Sequence, residues 1–541
     1  MQAASEHIDV STKELEALLE QATQAPLQPE GYQKLKAAIH TLGYVTELLE
    51  NREATLASLR RLLCQSSTEK TERVLKQAGL EVGEKKHKPA GKRTAETKPP
   101  GHGRNGASAY QGAHRIQVQH ASLSAGDRCP DCERGKVYPL SDPGVLVRIK
   151  GQAPIDATVW ELEKLRCNLC GEVFTAEAPA EVGEEKYDAT AASMIALLRY
   201  GSGFPWNRLD GLQGNLGIPL PVATQCEIVT EKAAEIRPAF DELIRQGAQG
   251  EVLHNDDTSM RVLALNQAQA RAEFATERTG VFTSGIVSTA PGRNIALFFT
   301  GELHAGENLA DVLQRRATEL GAPIQMCDAL SRNLPKLPPK LEIIVGHCLA
   351  HARRRFVEVT PNFPEQCRFV LEAFGVIYSN DALARERGMT PEERLRLHQS
   401  RSGPVIEQLH TWLQTQLDEK KVEPNSGLGV AMNYLLKHWH RLTLFLRQLG
   451  APLDNNVCER GLKKAILHRK NSLFYKTRNG ARVGDLYMSL IHTCELVGAN
   501  AFDYLTELQR HVAELKKNPS DWMPWNYRET LLRARAGVNS S

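Results

Sequence analysis

Apolar residues recur in several rhythms along this chain, and each change of rhythm marks a boundary. Leu35, Leu42, Leu49, Leu56 and Leu63 stand seven residues apart, with Ile39, Val45 and Leu59 on the same side. Within residues 1–82 this spacing predicts a helical seam, either a short coiled coil between copies or an amphipathic helix packed on its own domain. Arg52, Glu53 and Arg60, near the intermediate core positions, keep both readings open. Over 181–249 the rhythm is helical again, with runs ATAASMIALLRYGSG, LDGLQGNLGI and VATQCEIVTEKAAEIRPAFDELI. Three helices with short Gly and Pro breaks fit a helix-turn-helix-like DNA-binding region, or simply a packing module.

From Gly250 the texture turns to strands: EVLHNDDTSMRVLAL, GVFTSGIVSTA and RNIALFFTG, then a helical ENLADVLQRRATELG, the short run PIQMCDA, and LEIIVGHCLA. Three closely connected strands followed by strand-helix-strand alternation predict a mixed sheet whose first three strands are antiparallel. That is the pattern of an RNase H-like α/β domain, spanning about 250–515, with a helical insertion at about 351–450 and a C-terminal tail at 516–541. The expected fold class is multidomain α+β.

Composition changes this picture only locally. The formal net charge is +3 over 541 residues, too small as a total to argue for a polyanionic partner. Within 83–120, however, the stretch GEKKHKPAGKRTAETKPPGHGRNG has no apolar period, and Lys85, Lys86, Lys88, Lys92 and Arg93 outnumber its acids. It reads as a basic linker that can neutralise DNA phosphates or serve as a solvated spacer. No run of about 18 apolar residues occurs, and the polar, acidic opening MQAASEHIDVSTKELEALLE is unlike a signal peptide. The expectation is a cytoplasmic protein with no membrane partner.

Of the 11 cysteines, four form two Cys-x-x-Cys pairs, Cys129 with Cys132 and Cys167 with Cys170. Four thiolates presented from two tight turns fit tetrahedral zinc at about 2.3 Å per sulfur and leave no open position for water. A structural zinc ribbon over 121–180 is expected, the alternative being unliganded buried cysteines. Cys348 and His351 have no second pair nearby, so His351 reads as a packed or phosphate-contacting residue ahead of a metal ligand.

Three carboxylates stand where a sheet and a helix can bring them together. Asp256 and Asp257 follow the apolar EVLH, and strand alternation allows only one of them to face a site. Asp328 closes IQMCD at a strand end. Glu459 lies near the start of a helix that Asp454 or Asn455 can cap, with Val457, Leu462 and Ile466 expected on its inward face. Taken singly, each has a plainer explanation: a turn cap for Asp257, a loop residue for Asp328, an i,i+4 pair with Lys463 for Glu459.

Together these segments resemble the large transposase subunit, often called TnpC, of insertion sequences in the sixty-six family, over nearly the whole chain. HNDDTSMRVL is similar to the family's histidine-any-Asp-Glu-Thr motif, CLAHARRRF to its Cys-any-Ala-His-Ala-Arg-Arg-any-Phe segment, and PLDNNVCERGLKKAILHRKNSLF to its glutamate-bearing helix. The resemblance implies a DDE catalytic domain with Asp256, Asp328 and Glu459 as ligands of two Mg²⁺ (or Mn²⁺) ions. Asp257 stands where the family has glutamate, and Asp328-Ala329-Leu330 where it has Asp-Gly-Tyr. The implied activity is cleavage of transposon ends and strand transfer into target DNA. Terminal inverted repeats and target DNA are the implied partners, with a homo-oligomer and small accessory proteins. Arg353 and Arg354, and Lys463, Lys464, Arg469 and Lys470 after Glu459, form basic stripes suited to phosphates. The rivals are a non-catalytic DNA-binding regulator and a nuclease without strand transfer.

Overall fold

The computed structural model describes residues 185–266 and 280–538, scattered parts of 122–179, and Thr71 and Val74. The leucine seam, the basic linker and the four paired cysteines, Cys129, Cys132, Cys167 and Cys170, lie outside the described residues. Beside the cysteine pairs, Arg128 bridges Lys136 antiparallel, and β1 (Lys164–Arg166) pairs antiparallel with β2 (Val173–Thr175).

The helical region begins with α1 (Ala189–Ala196), capped by Asp188, whose Oδ1 accepts from the Ala191 N–H at 2.9 Å. It continues with α2 (Trp206–Asn215), α3 (Val222–Glu235) and α4 (Arg237–Gly247). The single long run expected from Val222 onward is two helices. Pro238, lacking an N–H and fixed in φ, sits in the first turn of α4 and ends the continuous ladder.

The sheet then forms as the texture predicted. Its strands are β3 (Val252–Ser259), β4 (Phe282–Ala290), β5 (Arg293–Gly301), β6 (Ile324–Cys327) and β7 (Ile344–His347), in the order β5-β4-β3-β6-β7. β3, β4 and β5 are antiparallel neighbours, while β6 and β7 add on in parallel. Parallel pairs need crossovers, and the first is α5 (Ala305–Leu313). After β7 come α6 (Leu349–Val359), α7 (Pro364–Glu386), α8 (Pro391–Leu397), α9 (Gly403–Asp418) and α10 (Gly427–Leu442), the helical insertion. The chain returns to the sheet as α11 (Asn456–Ser472) and α12 (Arg478–Val497), then ends with α13 (Ala501–Arg510), α14 (Val512–Lys517) and α15 (Tyr527–Val538).

Two helices set the sheet's environment. α12 runs along β5, where Asp485, Ser489 and Thr493 accept from the backbone N–H groups of Thr300, Phe298 and Ala296 at 2.7, 2.9 and 3.0 Å. One helical face at four-residue spacing thereby satisfies an edge strand that would otherwise offer open donors. α11 crosses β4 closely, and a Cβ built on Gly285 would meet the Leu462 side chain at 3.0 Å. Of the expected inward face of α11, Leu462 is buried and makes this contact, whereas Val457 and Ile466 are only partly buried; Cys458, Gly461, Ala465 and His468 complete the buried face.

One apolar cluster joins Ile195, Leu243, Ile286, Phe298, Leu490 and Leu508 with Trp522, Met523 and Tyr527. Helices α1, α3 and α4, the sheet, and the last helices therefore share a core, including the segment expected as a tail. No helix among the described residues is long and apolar enough to cross a membrane.

Candidate active site

Alternation along β3 separates the two neighbouring aspartates. Asp257 turns toward α5, its side chain almost fully buried, with His304 Nδ1 at 2.9 Å and Arg332 Nη2 at 3.2 Å from its two oxygens. Asp256 turns the other way, and its Oδ1 accepts from the Asn333 amide nitrogen at 3.2 Å. Asp328 follows β6, the parallel neighbour of β3, and its Oδ1 accepts from the same nitrogen at 2.5 Å. Thus Asp256 and Asp328 are brought together, and Asp257 is engaged elsewhere. Burial first, and the neighbouring Asp328 charge second, push the Asp256 carboxyl up to about 7. A carboxylate so placed binds a proton or a cation more readily than one in water.

Asn333 is itself held by buried amides. Asn255 Nδ2 and Gln325 Nε2 donate to its main-chain oxygen at 2.8 and 2.7 Å, and Gln325 Nε2 also donates to Asn255 Oδ1 at 2.8 Å.

Glu459 lies in the first turn of α11, and Asn455 pins that turn to β3. Asn455 Oδ1 lies 3.2 Å from His254 Nδ1, and its Nδ2 donates to the Asn255 carbonyl at 3.1 Å. Its side chain is thus spent on β3, and Asp454 does the capping by accepting from the Asn456 N–H at 3.1 Å. One residue before Glu459, Cys458 Sγ donates to the carbonyl of Gly285, the cross-strand partner of Asp256. Glu459 Oε1 is buried without a hydrogen-bond partner, with His351 Nδ1 3.4 Å away, and Arg354 Nη2 is 3.9 Å from Oε2. Lys463, its possible i,i+4 partner, is exposed instead.

Ligand-type atoms of Cys348, His351 and Glu459 lie within 4.8 Å of one another. Cys348 accepts from the Asn455 N–H at 3.2 Å, and burial pushes its thiol up to about 12. That hydrogen bond braces the start of α11 against α6.

Beside Asp328 opens a cavity of about 280 Å³, lined by His351, Arg354, Arg355, Glu358 and Tyr434 among others. The Arg355 guanidinium stacks on the Tyr434 ring at 4.0 Å, so the helical insertion supplies one wall. Among the other basic residues expected to meet DNA, Lys463 and Lys470 are exposed. Lys464 pairs with Glu495 at 2.7 Å, and Arg469 bonds Thr258 at 3.1 Å and the Ser259 hydroxyl at 2.7 Å, clamping the end of β3. Sequence reasoning missed Asn333, Asn255 and Gln325, and read Asn455 only as a helix cap. Their only signal was an excess of amides beside the carboxylates.

Asp256 thus lies within β3, Asp328 directly follows the parallel neighbour β6, and Glu459 stands in the first turn of α11, which packs on β3 and β4. Residues 185–483, which carry all of these, match the family model described as "Transposase IS66 family". The chain belongs to this family of DDE transposases, whose activity implies DNA and divalent metal ions. It is also similar to proteins of Sinorhizobium fredii named "Uncharacterized protein y4hP" and "Uncharacterized protein y4jD". The first is 25% identical over 68% of this chain and 67% of the relative, the second 26% identical over 67% and 71%.

Proposed function

We propose that this protein cuts the ends of a mobile DNA element and joins them to target DNA, with an RNase H-like domain whose ligands are Asp256, Asp328 and Glu459. The observation that carries this reading is the shared amide between Asp256 and Asp328: two carboxylates on neighbouring strands are held face to face around one positively polarised group. The raised affinity of Asp256 for a proton and the buried Glu459 Oε1, which accepts no hydrogen bond, both fit a site made to receive cations. Divalent ions bound there supply the charge that stabilises the attacking and leaving oxygens of an in-line displacement at phosphorus.

The chain's own residues do the rest. Asp256, Asp328 and Glu459 act as ligands and are not nucleophiles; the attacking groups are water at the element end and then the freed 3′ hydroxyl. Arg354, Arg355 and His351, lining the cavity beside Asp328, hold the phosphates flanking the reacting one. His351 and Arg354 also orient Glu459. Cys129, Cys132, Cys167 and Cys170 hold a structural zinc, and the basic linker adds sequence-independent affinity for DNA in the bacterial cytosol. In an assay with labelled element ends and Mn²⁺, wild-type protein nicks and joins, and Asp256→Ala binds the ends without cutting them. Binding without nicking by the wild type contradicts the proposal.

A further inference from the structure

Asn333 is fully buried, yet only one end of its amide is used. Nδ2 donates to Asp256 Oδ1 and Asp328 Oδ1, whereas Oδ1 is buried with no hydrogen-bond partner. Its position is fixed through the backbone. The residue closes a short 3₁₀ turn, Ser331–Asn333, and its main-chain carbonyl takes both Asn255 and Gln325. None of these anchors involves the amide itself. The terminal torsion of asparagine is broad and roughly two-fold, so a half-turn exchanges oxygen for nitrogen in almost the same place.

The spacing around that place suits a cation. An octahedral magnesium ion, with oxygens at about 2.0 to 2.1 Å, sets adjacent ligand oxygens about 2.9 Å apart. The inner atom of the amide stands 2.5 and 3.2 Å from one oxygen of each aspartate, on either side of that value. We propose that Asn333 is a reversible fourth ligand of the cation site: its NH₂ group bridges Asp256 and Asp328 while the site is free, and its carbonyl oxygen turns in to coordinate a divalent ion. The turn gives up two hydrogen bonds to carboxylates that the ion then neutralises. On the far side it exchanges one unpartnered polar atom for another. The proposal rests on Asp256 and Asp328 being cation ligands.

A bridge that served only as a hydrogen-bond donor would compete with the ion, so the two roles differ in sign. Mn²⁺ binding to the full-length protein, followed by electron paramagnetic resonance of the free ion, reads that sign. Asn333→Ala is expected to weaken Mn²⁺ binding by about tenfold or more, with Asp256→Ala losing the site. Unchanged or tighter binding by Asn333→Ala, while Asp256→Ala still loses it, overturns the fourth ligand and leaves the two aspartates standing. Identical titrations of the wild type and Asp256→Ala overturn the aspartate reading and the proposal with it. Wild-type crystals soaked in Mn²⁺ provide a measurement independent of any variant's folding. Anomalous density within coordinating distance of the Asn333 amide supports the turn; an ion bound while that amide still bridges both carboxylates refutes it.

Discussion

At the scale of single residues, the division of labour between Asp256 and Asp257 depends on partners far away in sequence. Alternation along β3 told us that one aspartate alone faces the site; that Asp257 is the one held by His304 and Arg332 needed the fold. Asp257→Asn is therefore expected to cost about 1 to 3 kcal/mol of stability, the usual penalty for stripping a buried hydrogen-bonded charge, while cleavage persists. Thermal melting beside a nicking assay checks this, and loss of cutting without loss of stability would reverse the assignment. A second buried carboxyl gives a pH signature. Asp485 is raised to about 7, chiefly by desolvation, although two hydrogen bonds from Thr300 oppose the shift. A folded-state value above the unfolded one means that the native protein holds the extra proton between about pH 4 and 7. Stability from this group is complete at the lower pH and is lost as pH rises through that window. Asp485→Asn should flatten the window in urea melts taken at several pH values.

Elements were read more fully than contacts. All five strands and their mixed directions followed from apolar runs and connection lengths, because burial on both faces leaves a strong local signature. What no local pattern carried was how the helices approach the sheet. The Asp485, Ser489 and Thr493 ladder on β5 joins residues 185, 191 and 197 apart. The close crossing of α11 likewise depends on Gly285 in β4, a strand glycine that allows another element near. Glu459 stands at a helix start as its motif predicts, but of the three apolar residues expected inward only Leu462, the residue at this contact, is buried. Gly285→Val, whose added methyls would enter the Leu462 side chain, is expected to lower the melting temperature by several degrees and shift α11. Cleavage should fall even at temperatures where the variant is folded. Full cleavage by a destabilised variant would mean that the seating of α11 does not position Glu459.

At the scale of the whole molecule, among the described residues the helical region from Ala189, the sheet and the last helices share one core. Trp522, Met523 and Tyr527 are buried with the sheet and with α4, so a chain ending at residue 515 loses three large side chains from the central cluster. Each such loss typically costs about 2 to 5 kcal/mol, and the truncated protein is expected to lack a cooperative melting transition. Ordinary two-state melting of that shortened chain would show the last helices to be dispensable. The helical insertion, by contrast, was expected as an interruption of the domain, and through Tyr434 it contributes a wall of the cavity beside Asp328. The most direct measurement is a cleavage and joining assay on labelled element ends with Mn²⁺, comparing wild type with Asp256→Ala, Asp328→Ala and Glu459→Ala at matched DNA binding. All three variants should lose both products by more than about 100-fold, beyond the loss typical of outer-shell partners. Wild-type levels of nicking or joining by any one of them would remove that residue from the metal site and break the three-carboxylate account.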